Sequence, residues 1–326
     1  MGFYPRAGRH RVAAKGVLSM QPLRGISYKI VSVMVFVGMA SLIKAASTDI
    51  PPGQAVFFRS LFALPIIIGW LAMRHELRHG WKTKQPMGHV WRGLVGTLAM
   101  GFGFAGLGLL PLPEVTAIGY AAPLLVVIFA AMFLNEEVRA FRLSAVALGL
   151  IGVLIVLSPR FSMGASVNHA QTLGAMLVLM GAVCAALAQV FVRKLVFTED
   201  TAAIVFWFSV TATCLSLLTL PWGWAWPSAS QWVMLIMAGL LGGIGQIFLT
   251  SSYRFADASL VAPFDYTSML LALIVGYFIF DEVPTVTMMI GAAIVISAGM
   301  MIILRERHLG LKRARQRKVT GTVGHH

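Results

Sequence analysis

Charged residues are scarce in this sequence. Only 12% of its 326 residues are Asp, Glu, Lys or Arg, whereas a soluble domain carries about 25%. Hydrophobic residues make up 58% of the chain, and the mean hydropathy is +0.81. A water-soluble globule of this length would lack the polar surface that it needs, so the composition predicts a protein embedded in lipid.

Cysteine is almost absent, and the motifs of several enzyme classes are missing. Cys184 and Cys214 both fall in apolar runs, which excludes a disulfide framework and a cysteine-based metal site. The eight histidines form no HExxH pair, and there is no GxxxxGK[ST] loop for ATP. The segment GFGFAG at 101–106 fits GxGxxG by letter, but no βαβ pattern surrounds it. We therefore expect no metal, no cofactor and no catalytic constellation.

Long apolar runs dominate what is present. A membrane-spanning helix needs about 20 mostly apolar residues, and short turn-forming segments such as TDIPPG, PLPE and DEVP separate runs of about that length. We predict an all-α integral membrane protein with ten transmembrane helices, over about 26–46, 54–73, 91–110, 114–134, 142–158, 173–193, 202–221, 231–252, 257–280 and 284–304.

The net charge of +14 is sorted by side. If the chain crosses the membrane ten times, all but three of the 26 lysines and arginines lie on the same side of the membrane as the two termini. The exceptions are Arg160 on the other side and Lys44 and Arg59 within spans. The positive-inside rule then places both termini in the cytoplasm. The basic tails fit topology signals beside an anionic leaflet, so they do not require nucleic acid as a partner.

The chain contains an internal repeat. A shift of 146 residues places TAIGYAAPLLVVIFAAMFLNEEV on APFDYTSMLLALIVGYFIFDEV, so that Tyr120 meets Tyr266 and Glu136 meets Glu282. Spans one to five therefore match spans six to ten. Because five is odd, the second copy enters the membrane from the opposite side. Inverted repeats of this kind place a binding site near mid-depth between their halves and work by alternating access.

Four segments carry a resemblance to a known family. They are FFRSLFALP at 57–65, AAPLLVVIFAAMFLNEE at 121–137, VAPFDYTSMLLALIVGYFIFDEVP at 261–284 and IGAAIVISAGMMIILRER at 290–307. The chain resembles the EamA-type permeases of the drug/metabolite transporter superfamily over about residues 25–307. The family's usual Gly-Glu after the fourth and ninth spans is replaced by Asn135-Glu136 and Asp281-Glu282, which keeps the acidic residue.

The resemblance implies ten helices in two inverted five-helix EamA repeats around a central cavity. We accordingly divide the chain into a basic cytoplasmic tail, a first repeat, an external linker, a second repeat and a second basic cytoplasmic tail, at 1–25, 26–158, 159–172, 173–304 and 305–326.

The resemblance also implies a function, secondary active transport of small metabolites across the bacterial inner membrane. The favoured hypothesis is export of amino acids or related amphipathic metabolites. The alternative is uptake of a vitamin or cofactor such as riboflavin or S-adenosylmethionine. The partners are then a small-molecule substrate, membrane lipid and a proton as coupling ion, with a monomer and a homodimer both open. A non-transporting sensor and a membrane enzyme are the rival classes.

Asp265 is the main candidate for a substrate or coupling site. It falls inside the ninth predicted span, where an ionisable side chain costs roughly 2.5–3.5 kcal/mol and therefore faces a cavity or a partner. Its alternative role is a structural hydrogen bond between helices. Tyr266 and, in the first repeat, Tyr120 would add polar contacts. Pro263 and Pro123 are the predicted hinges, because proline removes a backbone donor, and passive kinks are their alternative.

The remaining site candidates are two cations and two amides. Lys44 and Arg59 are expected to form a cationic patch for a carboxylate or phosphate. Lys44 can instead extend to the membrane interface, and Arg59 can serve a structural pairing. Gln189 and Gln246 continue stripes of small residues and are expected to line the cavity, although such stripes also serve close helix packing.

Overall fold

The computed structural model describes residues 22–75, 77, 80–134, 140–160, 168–196, 198–255 and 262–322. Over these residues the protein consists of helices and the loops that join them. The α-helices are α1 Pro22–Ala46, α2 Pro52–Leu61, α3 Ala63–Met73, α4 Pro86–Leu109, α5 Leu112–Gly119, α6 Ala121–Leu134, α7 Ala140–Leu157, α8 His169–Val196, α9 Thr201–Leu217, α10 Ala229–Phe255, α11 Thr267–Phe280 and α12 Val286–Thr322. Short 3-10 helices lie at Ser158–Arg160, Leu220–Trp222 and Ala262–Tyr266.

The described helices include eight segments that are long and apolar enough to cross a membrane. Two further apolar segments, Thr201–Leu217 and Phe264–Phe280, are shorter. Two of the eight are interrupted, since α2 and α3 are separated at Phe62 and α5 and α6 at Tyr120. The protein is therefore an all-helical, multi-pass membrane protein.

Several helices begin before the apolar run that predicted them. The first helix starts at Pro22 rather than 26, and the fourth starts at Pro86 rather than 91. Proline suits the first turn of a helix, because its missing N–H would have no partner there. At the other end of the chain, α12 continues to Thr322 through most of the segment predicted as a tail. Because these helices start earlier, basic residues that were assigned to the membrane surface lie well inside them.

Helix packing follows the internal repeat. The shift of 146 residues relates α1 to α8, α4 to α10 and α7 to α12. In the structure α1 packs along α10, and α8 packs along α4, so each contact has its counterpart in the other repeat. The α7 helix packs against α12, which is its own equivalent. Two copies arranged about an approximate two-fold axis produce this reciprocal pattern.

Glycine allows the α7 and α12 backbones to approach closely. A methyl group on Gly291 would lie 2.7 Å from the Gly152 carbonyl oxygen and 2.9 Å from the Val156 nitrogen. A methyl group on Gly152 would lie 2.9 Å from the Gly291 carbonyl oxygen. Membrane helices use small residues in this way, because packing rather than water exclusion drives their association.

Gly291→Ala is expected to lower the melting temperature of the purified protein. The added methyl group forces two backbones apart, and overpacking of this kind costs about 1–3 kcal/mol. Gly69→Ala is the matched control, because nothing lies within 4 Å of a methyl group there. Equal melting temperatures for the two variants would contradict the close crossing of α7 and α12.

Polar contacts tie the loops at both ends of the bundle. At one end, Gln54 donates to the Ala225 carbonyl at 2.8 Å and accepts from the Ala225 N–H at 3.0 Å. At the other end, the Glu199 carboxylate accepts from the backbone N–H groups of Lys84 at 2.6 Å and Gln85 at 2.8 Å. Under the repeat shift, the two loops joined by the first set of contacts are equivalent to the two loops joined by the second.

Glu199→Ala is expected to destabilise the protein at neutral pH but not in acid. Burial acts to raise the pKa of Glu199, but the two backbone N–H donors, the Thr83 hydroxyl and His89 outweigh it and lower the pKa overall. A carboxyl with a lowered folded pKa contributes stability above its unfolded value of about 4.3, and that stability is lost as the pH falls. We expect a loss of about 1–3 kcal/mol at pH 7.

The measurement is thermal unfolding of both proteins from pH 7 down to about pH 2, because the contribution of the Glu199 charge is lost only as the pH falls from its unfolded value through its lower folded pKa. Their melting temperatures should converge as the pH falls. Asp200→Ala is the control, because this neighbouring carboxylate is exposed and caps α9 without a side-chain hydrogen bond. A difference that persists unchanged at low pH would contradict the role of the Glu199 charge.

Candidate functional site

The two residues that the repeat shift superposes touch each other. Tyr120 lies at the interruption between α5 and α6, and Tyr266 ends the 3-10 helix that precedes α11. Their rings pack edge to face with centroids 5.1 Å apart. Equivalent residues in contact must lie close to the axis that relates the repeats. The two interrupted segments therefore cross at this point, which we call the tyrosine junction.

Proline accounts for the irregular backbone on both sides of the tyrosine junction. Pro123 is the third residue of α6 and cannot donate to the preceding turn. There the Tyr120 N–H bonds at 3.3 Å to both the Thr116 and Ala117 carbonyls, which tightens the last turn of α5. Pro263 lies in the 3-10 helix, and α-helical geometry begins only at Thr267. The breaks lie beside both prolines, and motion about them stays a prediction.

A polar network surrounds the tyrosine junction. The Tyr120 hydroxyl lies 2.7 Å from the Ser268 hydroxyl, and Ser268 donates to the Asp265 carbonyl at 2.6 Å. The Asp265 carboxylate forms an ion pair of 2.7 Å with the Lys29 ammonium. The Lys29 side chain is 2% exposed, whereas that of Asp265 keeps 40% of its surface accessible. The carboxylate therefore has room for another partner beside Lys29.

Lys29 is a site residue that was not predicted from the sequence. It was counted among the cations on the side of the two termini, and the structure buries it in α1, where it faces Asp265. Arg92 was counted in the same way and is buried in α4. The prolines at 22 and 86 were the sequence signal for this burial. A helix that begins at one of these prolines places Lys29 or Arg92 at least one turn inside the helix.

Arg59 is buried in α2. Its side chain is in contact with the ring of Phe208 on α9, and its terminal nitrogen approaches the Gly242 carbonyl at 3.5 Å. The guanidinium of Arg92 lies over the same ring. A cationic patch of Arg59 with Lys44 stays a prediction.

Lys44 is held at the end of α1 by three groups. Its ammonium forms an ion pair of 2.8 Å with Glu282 and donates to the carbonyls of Leu107 at 3.3 Å and Leu110 at 2.7 Å. The second oxygen of Glu282 accepts from the Leu112 N–H at 2.8 Å. These contacts join α1, the turn between α4 and α5, and the end of α11. A role of Lys44 in substrate binding stays a prediction.

The two predicted amides differ in burial. Gln189 on α8 is exposed and Gln246 on α10 is half-buried, and their place along a cavity stays a prediction. Glu136, the repeat partner of Glu282, lies outside the described residues. Among the described residues, no group of three or more His, Cys, Asp or Glu can hold a metal ion.

Comparison with known proteins places these features in a family context. The EamA-like transporter family matches this chain twice, at residues 23–158 and 172–304. A solved crystal structure superposes with a TM-score of 0.64 at 20% identity, covering 87% of this chain and 98% of the other. That likeness supports the fold.

Relatives of different named activities match over most of their length. An S-adenosylmethionine uptake transporter of Rickettsia conorii is 26% identical over 87% of this chain and 94% of its own. A riboflavin transporter of Rhizobium johnstonii is 30% identical over 78% and 82% of the two chains. A pseudopaline exporter of Pseudomonas aeruginosa is 27% identical over 84% and 94%.

Proposed function

The chain belongs to the EamA-like transporter family, and from that membership we propose that it is a secondary active transporter of small metabolites that works by alternating access. It is a multi-pass protein of the bacterial inner membrane whose named relatives are transporters. These names favour transport over the two rival classes, a membrane enzyme and a sensor.

The proposed topology has ten membrane helices with both termini in the cytoplasm. The eight long segments and the two shorter ones, Thr201–Leu217 and Phe264–Phe280, supply the ten. The proposed units are the repeats 26–158 and 173–304, with a linker at 159–172 and tails at 1–25 and 305–326. The reciprocal packing of α1 on α10 and α8 on α4 supports two inverted repeats.

The observation that carries the mechanism is the ion pair beside the tyrosine junction. Discontinuous helices that meet between inverted repeats are the usual location of transporter binding sites. Lys29 binds the Asp265 carboxylate, and 40% of the Asp265 side chain stays accessible to a solute or a proton. A proton or a cationic group that binds Asp265 weakens its hold on Lys29. That loosens a contact between α1 and the segment before α11, and the repeats can then rearrange.

The transported solute and the direction of transport are proposed from the named relatives. We propose export of amino acids or related amphipathic metabolites, which the relative named as a pseudopaline exporter supports. Uptake of a cofactor or vitamin is equally supported, because the relatives named for S-adenosylmethionine uptake and riboflavin transport match over similar lengths.

Flux across proteoliposomes tests the proposed function. The purified chain is reconstituted, and radiolabelled amino acids, riboflavin and S-adenosylmethionine are followed in both directions with and without a proton gradient. We expect saturable flux of at least one solute above that of empty liposomes. If the protein is folded and correctly inserted but no solute of the panel shows more flux than in empty liposomes, the result would count against transport of these classes.

A further inference from the structure

Two buried arginines in the bundle have no acidic partner among the described residues. Arg59 on α2 is 3% exposed and Arg92 on α4 is 7% exposed. Among the residues that the structure describes, no carboxylate forms an ion pair with either one. The other buried or half-buried cations of known geometry do have one, as Lys29 has Asp265 and Arg160 has Glu114.

Both arginines also have buried polar atoms that lack hydrogen bonds. Within the described part of the chain, buried side-chain nitrogen and oxygen atoms without a partner occur only in Arg59, Ser60, His89 and Arg92. They include Nε of both arginines and Nη1 of Arg92. His89 lies one helical turn before Arg92 on α4, and Ser60 follows Arg59 on α2. The guanidinium groups of Arg59 and Arg92 therefore both keep unused donors beside Phe208.

The two positive charges lie beside the same aromatic ring. The Phe208 centroid lies 3.5 Å from the guanidinium carbon of Arg92 and 5.7 Å from that of Arg59. A cation over an aromatic ring is stabilised when both are desolvated. The burial of an ion costs more than this contact returns, even after relaxation, and like charges repel. One ring does not offset two such charges, so the arrangement lacks an anion.

The surrounding helices are shaped to hold the guanidinium groups. A side chain on Gly96 of α4 would collide with Nη1 of Arg92 and with the Phe208 ring. A methyl group on Gly242 of α10 would lie 2.8 Å from Nε of Arg59. Gly96 and Gly242 are equivalent under the repeat shift of 146 residues. Each repeat therefore contributes one glycine that leaves room for one arginine.

We propose that Arg59 and Arg92 form a binding site for one oxyanion, the carboxylate or phosphate group of the transported solute. The planar fork of arginine matches both groups with paired hydrogen bonds. Arg59 lies seven residues, about 10 Å, from the start of α2, and Arg92 lies six residues, about 9 Å, from the start of α4. These helices start at opposite ends of the bundle, so the site lies between the two ends. The proposal rests on the transport function given above and extends it to a solute class.

The test measures anion binding to the purified full chain in a neutral detergent. Sodium succinate and sodium phosphate are the probes, each titrated against sodium chloride at equal ionic strength, with thermal unfolding and calorimetry as readouts. The variants are Arg59→Met and Arg92→Met, with Arg92→Lys as a conservative change that keeps the charge but loses the fork. Arg160→Met is the matched control, because Arg160 binds Glu114 through two contacts of 2.8 and 2.6 Å.

The proposal predicts opposite changes in stability and in binding. At least one probe should raise the melting temperature of the native protein, and each methionine variant should weaken that probe about 10- to 100-fold. Without a probe, Arg92→Met should melt no lower than the native protein, because it removes an unpaired charge, whereas Arg160→Met should melt lower. Preference for phosphate or for succinate identifies which oxyanion the site takes.

Three results would overturn the proposal. They are no response of the native protein to either probe, equal binding by native protein and by both methionine variants, and a fall in the melting temperature of Arg92→Met that matches Arg160→Met. If Arg92→Met cannot be purified, that failure is treated as the third result and counts against the proposal. Arg92→Lys then shows whether the planar fork or the charge is needed for folding. Flux of a purely cationic solute without anion binding would remove the oxyanion site and leave the transport function intact.

Discussion

Asp265→Asn is expected to reduce transport by about 10- to 100-fold and to remove its dependence on a proton gradient. The change keeps the shape of the side chain but removes the charge that lies 2.7 Å from Lys29. A hydrogen bond to a charged group contributes about 1.5–3 kcal/mol, which corresponds to that range of affinity. Initial rates in proteoliposomes, with and without the gradient, give the measurement.

Stability has to be measured beside flux, because Lys29 is buried. Removing one partner of a fully buried ion pair costs about 3–5 kcal/mol, and the 40% exposure of Asp265 reduces that cost. Asp281→Asn is the matched control, since it makes the same chemical change at the other end of α11, and asparagine tolerates its positive φ of 54°. Normal flux and normal gradient dependence in Asp265→Asn would leave Asp265 as a contact between helices.

Glu282→Ala is expected to lower the melting temperature by about 5 °C. The variant leaves the ammonium of Lys44, whose side chain is 13% exposed, without its carboxylate, and it removes the acceptor of the Leu112 N–H. A loss of about 3–4 kcal/mol follows from breaking a largely buried ion pair, and about 1.5 °C accompanies each kcal/mol in a chain of this length.

Two further variants separate the charge from the hydrogen bonds. Glu282→Gln keeps an acceptor for the Leu112 N–H and should fall between the native protein and Glu282→Ala. The double variant Lys44→Met with Glu282→Leu removes both charges and should recover part of the loss, because an apolar pair can replace a buried ion pair. A melting temperature of Glu282→Ala equal to that of the native protein would contradict a stabilising role for this contact.

Much of the fold was predictable because membrane helices have a strong signal. Each predicted apolar run overlaps a described helix, although the start of the ninth falls on residues outside the described set. The repeat that matched Tyr120 with Tyr266 was read from the sequence alone, and the structure places the two rings in contact. The helix interruptions lie beside Pro123 and Pro263, where a missing backbone donor predicts them.

The site was less predictable, because charges near the ends of apolar runs are ambiguous. A long basic side chain near a helix end usually extends to the interface, so Lys29 and Arg92 were both placed there. Which cation meets which anion depends on helices far apart in the chain. The pairs Lys29 with Asp265 and Lys44 with Glu282 each join segments more than two hundred residues apart. Hydrophobic periodicity carries no information about such contacts.

Alternating access requires that the two repeats move about the tyrosine junction and open each end in turn. Because α1 and α8 are equivalent, the distances between their two pairs of ends report this motion. Spin labels at Thr48 and His169 probe one end, and labels at Leu23 and Lys194 probe the other; all four positions are exposed. Pulsed electron paramagnetic resonance on protein with Cys184 and Cys214 replaced by alanine measures both distances, with and without a transported solute. We expect one distance to lengthen as the other shortens, and two distances that stay fixed or change in the same sense would contradict alternating access.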